Sequence, residues 1–123
     1  MANKKALIVD DSYTMRNMIS LALKDKSFEV VEAGDGEEAL SAVDKSDKFD
    51  VVITDINMPN MNGIELIRKL RSDVKFKFTP ILVLTTEGGD DKKDEGKQAG
   101  ATGWIVKPFN PDVLLSAVEK VCG

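Results

Sequence analysis

The chain has no histidine and a single cysteine, Cys122, beside its C-terminus. Without histidine there is no imidazole general base, no Ser-His or Cys-His nucleophile pair, and no zinc site of the usual Cys/His kind. One cysteine excludes an internal disulfide and fits a reducing cytosol. Long apolar runs are missing too. Nothing approaches the roughly 20 residues of a membrane span, and the run after Lys4 and Lys5 breaks at Asp10, far short of a signal-peptide core. The expected location is therefore cytoplasmic, without membrane insertion. Charge of one sign does not dominate: the net value is −4, with lysines scattered among acids, so a nucleic-acid backbone is not expected as a direct partner. Any chemistry must run on carboxylate, hydroxyl, amine or a bound metal.

What is present is enough chain for one core. The 123 residues suit a single domain, expected over 1–123 with no second, output domain. Short apolar runs rich in β-branched residues recur at Ala6 to Val9, Phe28 to Val31, Val51 to Thr54, Ile81 to Thr85 and Trp104 to Val106. The first, third and fourth are apolar without alternation, the pattern of parallel strands covered on both faces. The second is thinner, flanked by Glu29 and Glu32, and reads as an edge strand.

Helical spacing fills the gaps. Met15, Met18, Ile19, Ala22 and Leu23 fall on one expected buried face. Asp35 can cap a second helix, with Glu38 three residues on. Asn62 can cap a third that turns Ile64, Ile67 and Leu70 inward. Asn110 followed by Pro111 opens the last, with Leu114, Ala117, Val118 and Val121 on one side. A fourth helix within "GGDDKKDEGKQAGA" is weaker: it has almost no large apolar residue and contains Gly96, which costs about 1 kcal/mol against alanine. It reads as solvated, marginal and mobile. Five alternations of strand and helix predict an α/β fold, a five-stranded parallel sheet with helices on both faces.

Parallel strands bring the residues after each strand to one edge, where such sheets bind ligands. Those residues are Asp10 and Asp11, Asp55, Thr85 and Thr86, and Lys107. Taken singly, an Asp or Thr there often does no more than end a strand or cap a helix; the convergence is the signal. Two carboxylates about 5 Å apart repel by roughly 3 kcal/mol at an effective dielectric of 20, so a cation is required. Lys107 supplies one charge, which falls short, and solvent-accessible carboxylate oxygens suit Mg2+, with Mn2+ as the alternative. Asp55, after the most apolar run, can attack phosphorus to give an acyl phosphate. The metal, the Lys107 amine and the Thr85 hydroxyl would then each meet a phosphoryl oxygen, and transfer needs little beyond positioning and charge neutralisation. Pro108 restricts Lys107 to extended backbone and admits a cis bond that would turn the amine inward.

The segments "LIVDDS", "VVITDINMPNMNG", "ILVLTTE" and "GATGWIVKPF" together resemble the receiver domain of two-component response regulators, and within that family the stand-alone chemotaxis receivers of the CheY type. The resemblance spans essentially the whole chain. It implies the (βα)5 flavodoxin-like receiver fold with strand order 2-1-3-4-5, an order that comes from the family and not from the residue pattern. It implies Asp55 as phosphoacceptor, a metal shell of Asp10, Asp11, Asp55 and the backbone carbonyl of Asn57, and Thr85 and Lys107 as phosphate ligands. A histidine kinase is the implied phosphodonor, external because this chain has no histidine. Asn57 and Glu87 match positions that modulate hydrolysis of the phosphoaspartate, so the chain is expected to be a self-phosphorylating, autodephosphorylating switch and not an enzyme acting on a separate substrate. Output is expected through a downstream protein, the flagellar motor switch being one candidate, docked on the fourth helix, fifth strand and fifth helix of a monomer. Two residues depart from the family pattern: Trp104 stands where Tyr or Phe is usual, and Thr86 where alanine is common.

Other functions fit less well. A haloacid-dehalogenase-like phosphatase would need an acidic residue where Asn57 stands, and a cap domain. A flavin-binding protein of the same fold would have to hold a phosphate against Asp10 and Asp11. An adaptor or phosphate sink without motor binding retains every required group.

Overall fold

The computed structural model describes residues 4–45, 48–86 and 89–122. Strands β1 (Lys5–Val9), β2 (Glu29–Ala33), β3 (Val51–Thr54), β4 (Ile81–Thr85) and β5 (Gly103–Val106) alternate with helices α1 (Tyr13–Asp25), α2 (Gly36–Asp44), α3 (Gly63–Ser72), α4 (Asp90–Ala99) and α5 (Pro111–Cys122). All pairings are parallel and the order is β2-β1-β3-β4-β5, as the resemblance implied. The second strand is an edge strand, beginning one residue later than its apolar run suggested and ending at Ala33.

Successive side chains of a strand point to opposite faces, and this splits the core in two. Leu7, Val9, Val52 and Val83 meet α2, α3 and Ala99 of α4, whereas Ala6, Ile8, Ile53, Leu82 and Leu84 meet α1 and α5. β1, β3 and β4 are buried almost end to end, which explains their lack of alternation.

The expected caps form. Asp35, Asn62 and Asn110 accept from the backbone N–H of Glu38, Glu65 and Asp112 at 2.9, 2.9 and 2.8 Å. The face of α1 differs from expectation. Ile19 and Leu23 are buried, but Met18 is 46 % exposed, and Ser20 is buried in its stead. The helix is rotated so that Arg16 can lie over the sheet edge, donating to the Asp10 carbonyl at 2.7 Å and to Glu32 at 3.3 Å. Apolar spacing alone could not register that polar anchor. The short 3-10 turn Val74–Phe76 was not anticipated either; Asp73 starts it by accepting from the Lys75 N–H at 3.0 Å.

Gly96 has a structural reason. A Cβ there would collide with the Trp104 indole, so the glycine that weakens α4 also seats the ring. Only Gly96 and Ala99 of α4 are buried, against five residues of α3.

Asp35 joins two elements, since its second oxygen accepts from the Asn60 amide at 2.7 Å. The Glu38 N–H, then the Asn60 amide, hold its carboxyl below the ordinary carboxylate range. Asp35→Ala is expected to lower unfolding free energy by about 1–2 kcal/mol in urea titrations at pH 7. Because folding lowers this pKa, the contribution is complete above the unfolded-state value of about 3.9 and fades as pH falls through the lower folded value. The gap between the proteins should therefore narrow only in that acid range; a gap constant from pH 7 to pH 2 would refute the assignment.

Candidate functional site

Strand order reverses between β1 and β3, opening a crevice at their carboxyl ends. Asp10 and Asp55 sit on its two sides, each held by one further rung of the sheet: the Asp10 N–H donates to the Ala33 carbonyl at 3.1 Å and the Asp55 N–H to that of Val9 at 2.9 Å. Asp11 follows on the solvent side. The carboxylates of Asp10, Asp11 and Asp55 offer one oxygen each within 4.8 Å of the others, with Asp11 exposed and its companions buried. At that separation and an effective dielectric of 20, each pair repels by about 3.5 kcal/mol.

Lys107 answers much of this repulsion. Its ammonium lies 2.7 Å from Asp10 Oδ2 and 3.1 Å from Asp55 Oδ2, with only 10 % of its side chain exposed. Burial alone would lower its pKa, but the hydrogen bonds and charges of Asp10 and Asp55 outweigh that and raise it above the ordinary lysine value. The lysine stays charged. The peptide bond between Lys107 and Pro108 is cis, and the Lys107 N–H donates to the Thr85 carbonyl at 2.7 Å, which ties β5 to β4 just behind the amine.

Three carboxylates and one ammonium leave the cluster anionic. Its donors are hard oxygens with no thiolate or imidazole among them, and Asp11 and Asn57 open it to solvent. That donor set fits Mg2+ or Mn2+, which keep waters and take carboxylates at such sites.

The remaining expected residues are more dispersed. Thr85 is fully buried at the end of β4. Thr86, next to it, is exposed, and Glu87 lies outside the described residues. Trp104 pairs with Val83 and stands two positions before the edge, half-buried over Gly96.

Several supporting residues escaped sequence reasoning. The Ser12 N–H donates to Asp10 Oδ1 at 2.9 Å, and the Ile56 N–H to Asp55 Oδ1 at 2.6 Å. Arg16 holds the Asp10 carbonyl from behind. Gly63 lets α3 approach Asp55, because a Cβ there would collide with the carbonyl oxygen of Asp55. Its only sequence signal was a glycine directly after the Asn62 cap, where no turn requires one.

Comparison with known proteins agrees with this geometry. The family model described as response regulator receiver domain matches residues 6–119. Chemotaxis protein CheY1 of Helicobacter pylori is 47 % identical over 97 % of both chains. Chemotaxis protein CheY of Pseudomonas aeruginosa is 45 % identical over 95 % of this chain and 94 % of its own. Among solved structures, that of Vibrio cholerae chemotaxis protein CheY4 superposes with a TM-score of 0.93 at 52 % identity, covering 98 % of this chain and 99 % of the other.

Removing the bridging ammonium should leave the buried pair uncompensated. Lys107→Met is expected to destabilise the chain by about 3 kcal/mol at pH 7, read from urea unfolding. Folding raises the pKa of Lys107, so its contribution is complete below the unfolded-state value of about 10.4 and is lost as pH climbs through the higher folded value. Wild type and variant should converge only at that alkaline limit.

Proposed function

The chain belongs to the response regulator receiver domain family, and from that premise we propose that it is a phosphorylation-driven switch of chemotaxis signalling, with Asp55 as its phosphoacceptor. The observation that carries this is the Lys107 ammonium shared between Asp10 and Asp55, at 2.7 and 3.1 Å. Such an arrangement holds a nucleophilic carboxylate and a phosphoryl-binding cation side by side.

The donor is a phosphohistidine on a partner kinase. An Asp55 carboxylate oxygen attacks phosphorus, the new O–P bond forms as the N–P bond breaks, and the departing imidazole takes up a proton. Ile56 contributes orientation, since its N–H fixes Asp55 Oδ1 at 2.6 Å. Lys107 stays protonated throughout and exchanges a carboxylate oxygen for a phosphoryl oxygen. Thr85, at the end of β4, offers its hydroxyl to another. Asp10, Asp11, Asp55 and the Asn57 carbonyl would hold Mg2+, which when bound neutralises charge on the transferring phosphoryl group. Asn57 and Glu87 set the rate at which water removes that group.

Output passes through a protein target in the cytoplasm, docked on α4, β5 and α5. Support comes from the exposed Val106 and Val113 there and from a groove of about 170 Å3 lined by Lys93, Lys97 and Trp104. The phosphorylated state adds about −1.5 to −2 charges at Asp55, and Thr85, Trp104 and the thinly anchored α4 respond by population shift.

Intact mass after incubation with acetyl phosphate tests the chemistry. One labile phosphoryl adduct is expected in the presence of magnesium, none without it, and none in Asp55→Asn. The chain has one tryptophan, so the same reaction should change Trp104 emission in wild type and leave Asp55→Asn unchanged. An adduct that persists in Asp55→Asn would remove the assignment.

A further inference from the structure

At the amino end of the strands, opposite the acidic crevice, the loops entering β3 and β4 enclose a groove of about 280 Å3. Its lining includes buried Phe49 together with Val74, Phe78 and Pro80, and Lys48 and Lys75 are part of its wall. Val74 is 85 % exposed and Phe78 88 % exposed. A single exposed apolar side chain is ordinary; two on one groove within five residues form a patch.

The loop presenting them is held firmly. Arg71 donates to the carbonyls of Phe76, Lys77 and Thr79 at 2.6, 3.3 and 2.7 Å, and to that of Gly100 at 2.9 Å through its other terminal nitrogen. Phe49 and Phe76 stack beneath, 6.5 Å between centroids. A fixed loop loses little entropy when something docks on it.

Charge identifies the occupant. Lys77 lies 5.6 Å from the Phe78 ring, and among the described residues neither Lys75 nor Lys77 has a carboxylate partner. The neighbouring acids are engaged: Asp50, which also lines the groove, accepts from the Lys5 N–H at 2.7 Å and pairs with Lys48 at 3.7 Å, and Asp73 accepts from the Lys75 N–H at 3.0 Å. Lys75 and Lys77 thus set two ammonium groups without a carboxylate partner beside an apolar groove, in a chain of net charge −4. We propose that this groove is a second docking site, for an acidic protein segment that inserts one large apolar side chain against Phe78 and Val74 while its carboxylates meet Lys75 and Lys77. An anionic lipid surface would meet the lysines but leave the concave floor unfilled. The groove lies at the other end of the sheet from Asp55, so the site is independent of the phosphorylation chemistry proposed above.

The test uses the full chain, labelled with 15N, and a short peptide of Glu and Asp with a central Phe-Leu pair. Amide shifts are expected at Lys48–Asp50 and Val74–Phe78, equally in wild type and Asp55→Asn, with none at Asp10 or Lys107. Phe78→Ser and the double variant Lys75→Glu, Lys77→Glu should each weaken binding about tenfold, a typical loss for an anchor at an interface. All three positions are exposed, so folding should be unaffected, which circular dichroism checks. A peptide with Lys in place of Glu and Asp should not bind. Absence of shifts at millimolar peptide, affinity indifferent to Phe78→Ser, or Phe78-dependent sedimentation with phosphatidylglycerol vesicles in place of peptide binding would each overturn the proposal.

Discussion

Holding three carboxylates within 4.8 Å of one another is the constraint on which the rest of this structure depends. Chains left to themselves separate like charges, because repulsion of about 3.5 kcal/mol per pair is comparable with a substantial fraction of total stability. Here the separation is prevented by the sheet. Asp10 and Asp55 are each fixed by an extra rung to a neighbouring strand, and those strands are buried on both faces. The apolar core therefore does more than stabilise the fold: it supplies the free energy that keeps an unfavourable charge arrangement in place. Lys107 compensates part of that energy from the far side of the sheet, 97 residues away in sequence from Asp10.

The surroundings of the crevice follow from the same need. Arg16 anchors the Asp10 backbone to Glu32, and satisfying both accounts for the rotation of α1 that exposes Met18. Gly63 exists where any side chain would push the Asp55 backbone away. Each of these choices sacrifices some packing or helix propensity for the position of an oxygen atom. Functional sites commonly break local rules in this way.

That pattern explains what could be read from the sequence. Strand identity, the edge position of β2, the caps at Asp35, Asn62 and Asn110, and the gathering of Asp10, Asp11, Asp55 and Lys107 all follow from periodicity and parallel topology, which are local or nearly so. The order of the strands did not follow from residues; it came with the family resemblance. Polar anchors were illegible because one arginine looks like another until its partners are placed. Arg16 and Arg71 both appear in sequence as surface charges, yet one supports the crevice and the other bonds three carbonyls of the loop before β4 and that of Gly100 after α4. Glycine was ambiguous in a different sense. Gly96 reads as a weak point of a helix, whereas in space it is the seat of an indole.

The two descriptions of Gly96 are compatible, and their combination matters for α4. This helix has no side-chain cap at its N-terminus and buries only Gly96 and Ala99, but its C-terminus is secured by Gly100 in the left-handed conformation and by two Arg71 bonds to the Gly100 carbonyl. It is thus anchored at one end and lightly held at the other. Shifting a two-state element from 1:99 to 99:1 takes about 5.5 kcal/mol of differential interaction, which one new phosphoryl group could not deliver against a helix packed as deeply as α3. On the proposed function, the near absence of apolar residues in α4 is what brings its conformational gap within reach of a charge added at Asp55. A glycine beneath Trp104 then lets the indole and the helix move without either meeting a Cβ. The same weakness that made this helix hard to recognise in the sequence is, on that account, the property that makes it useful.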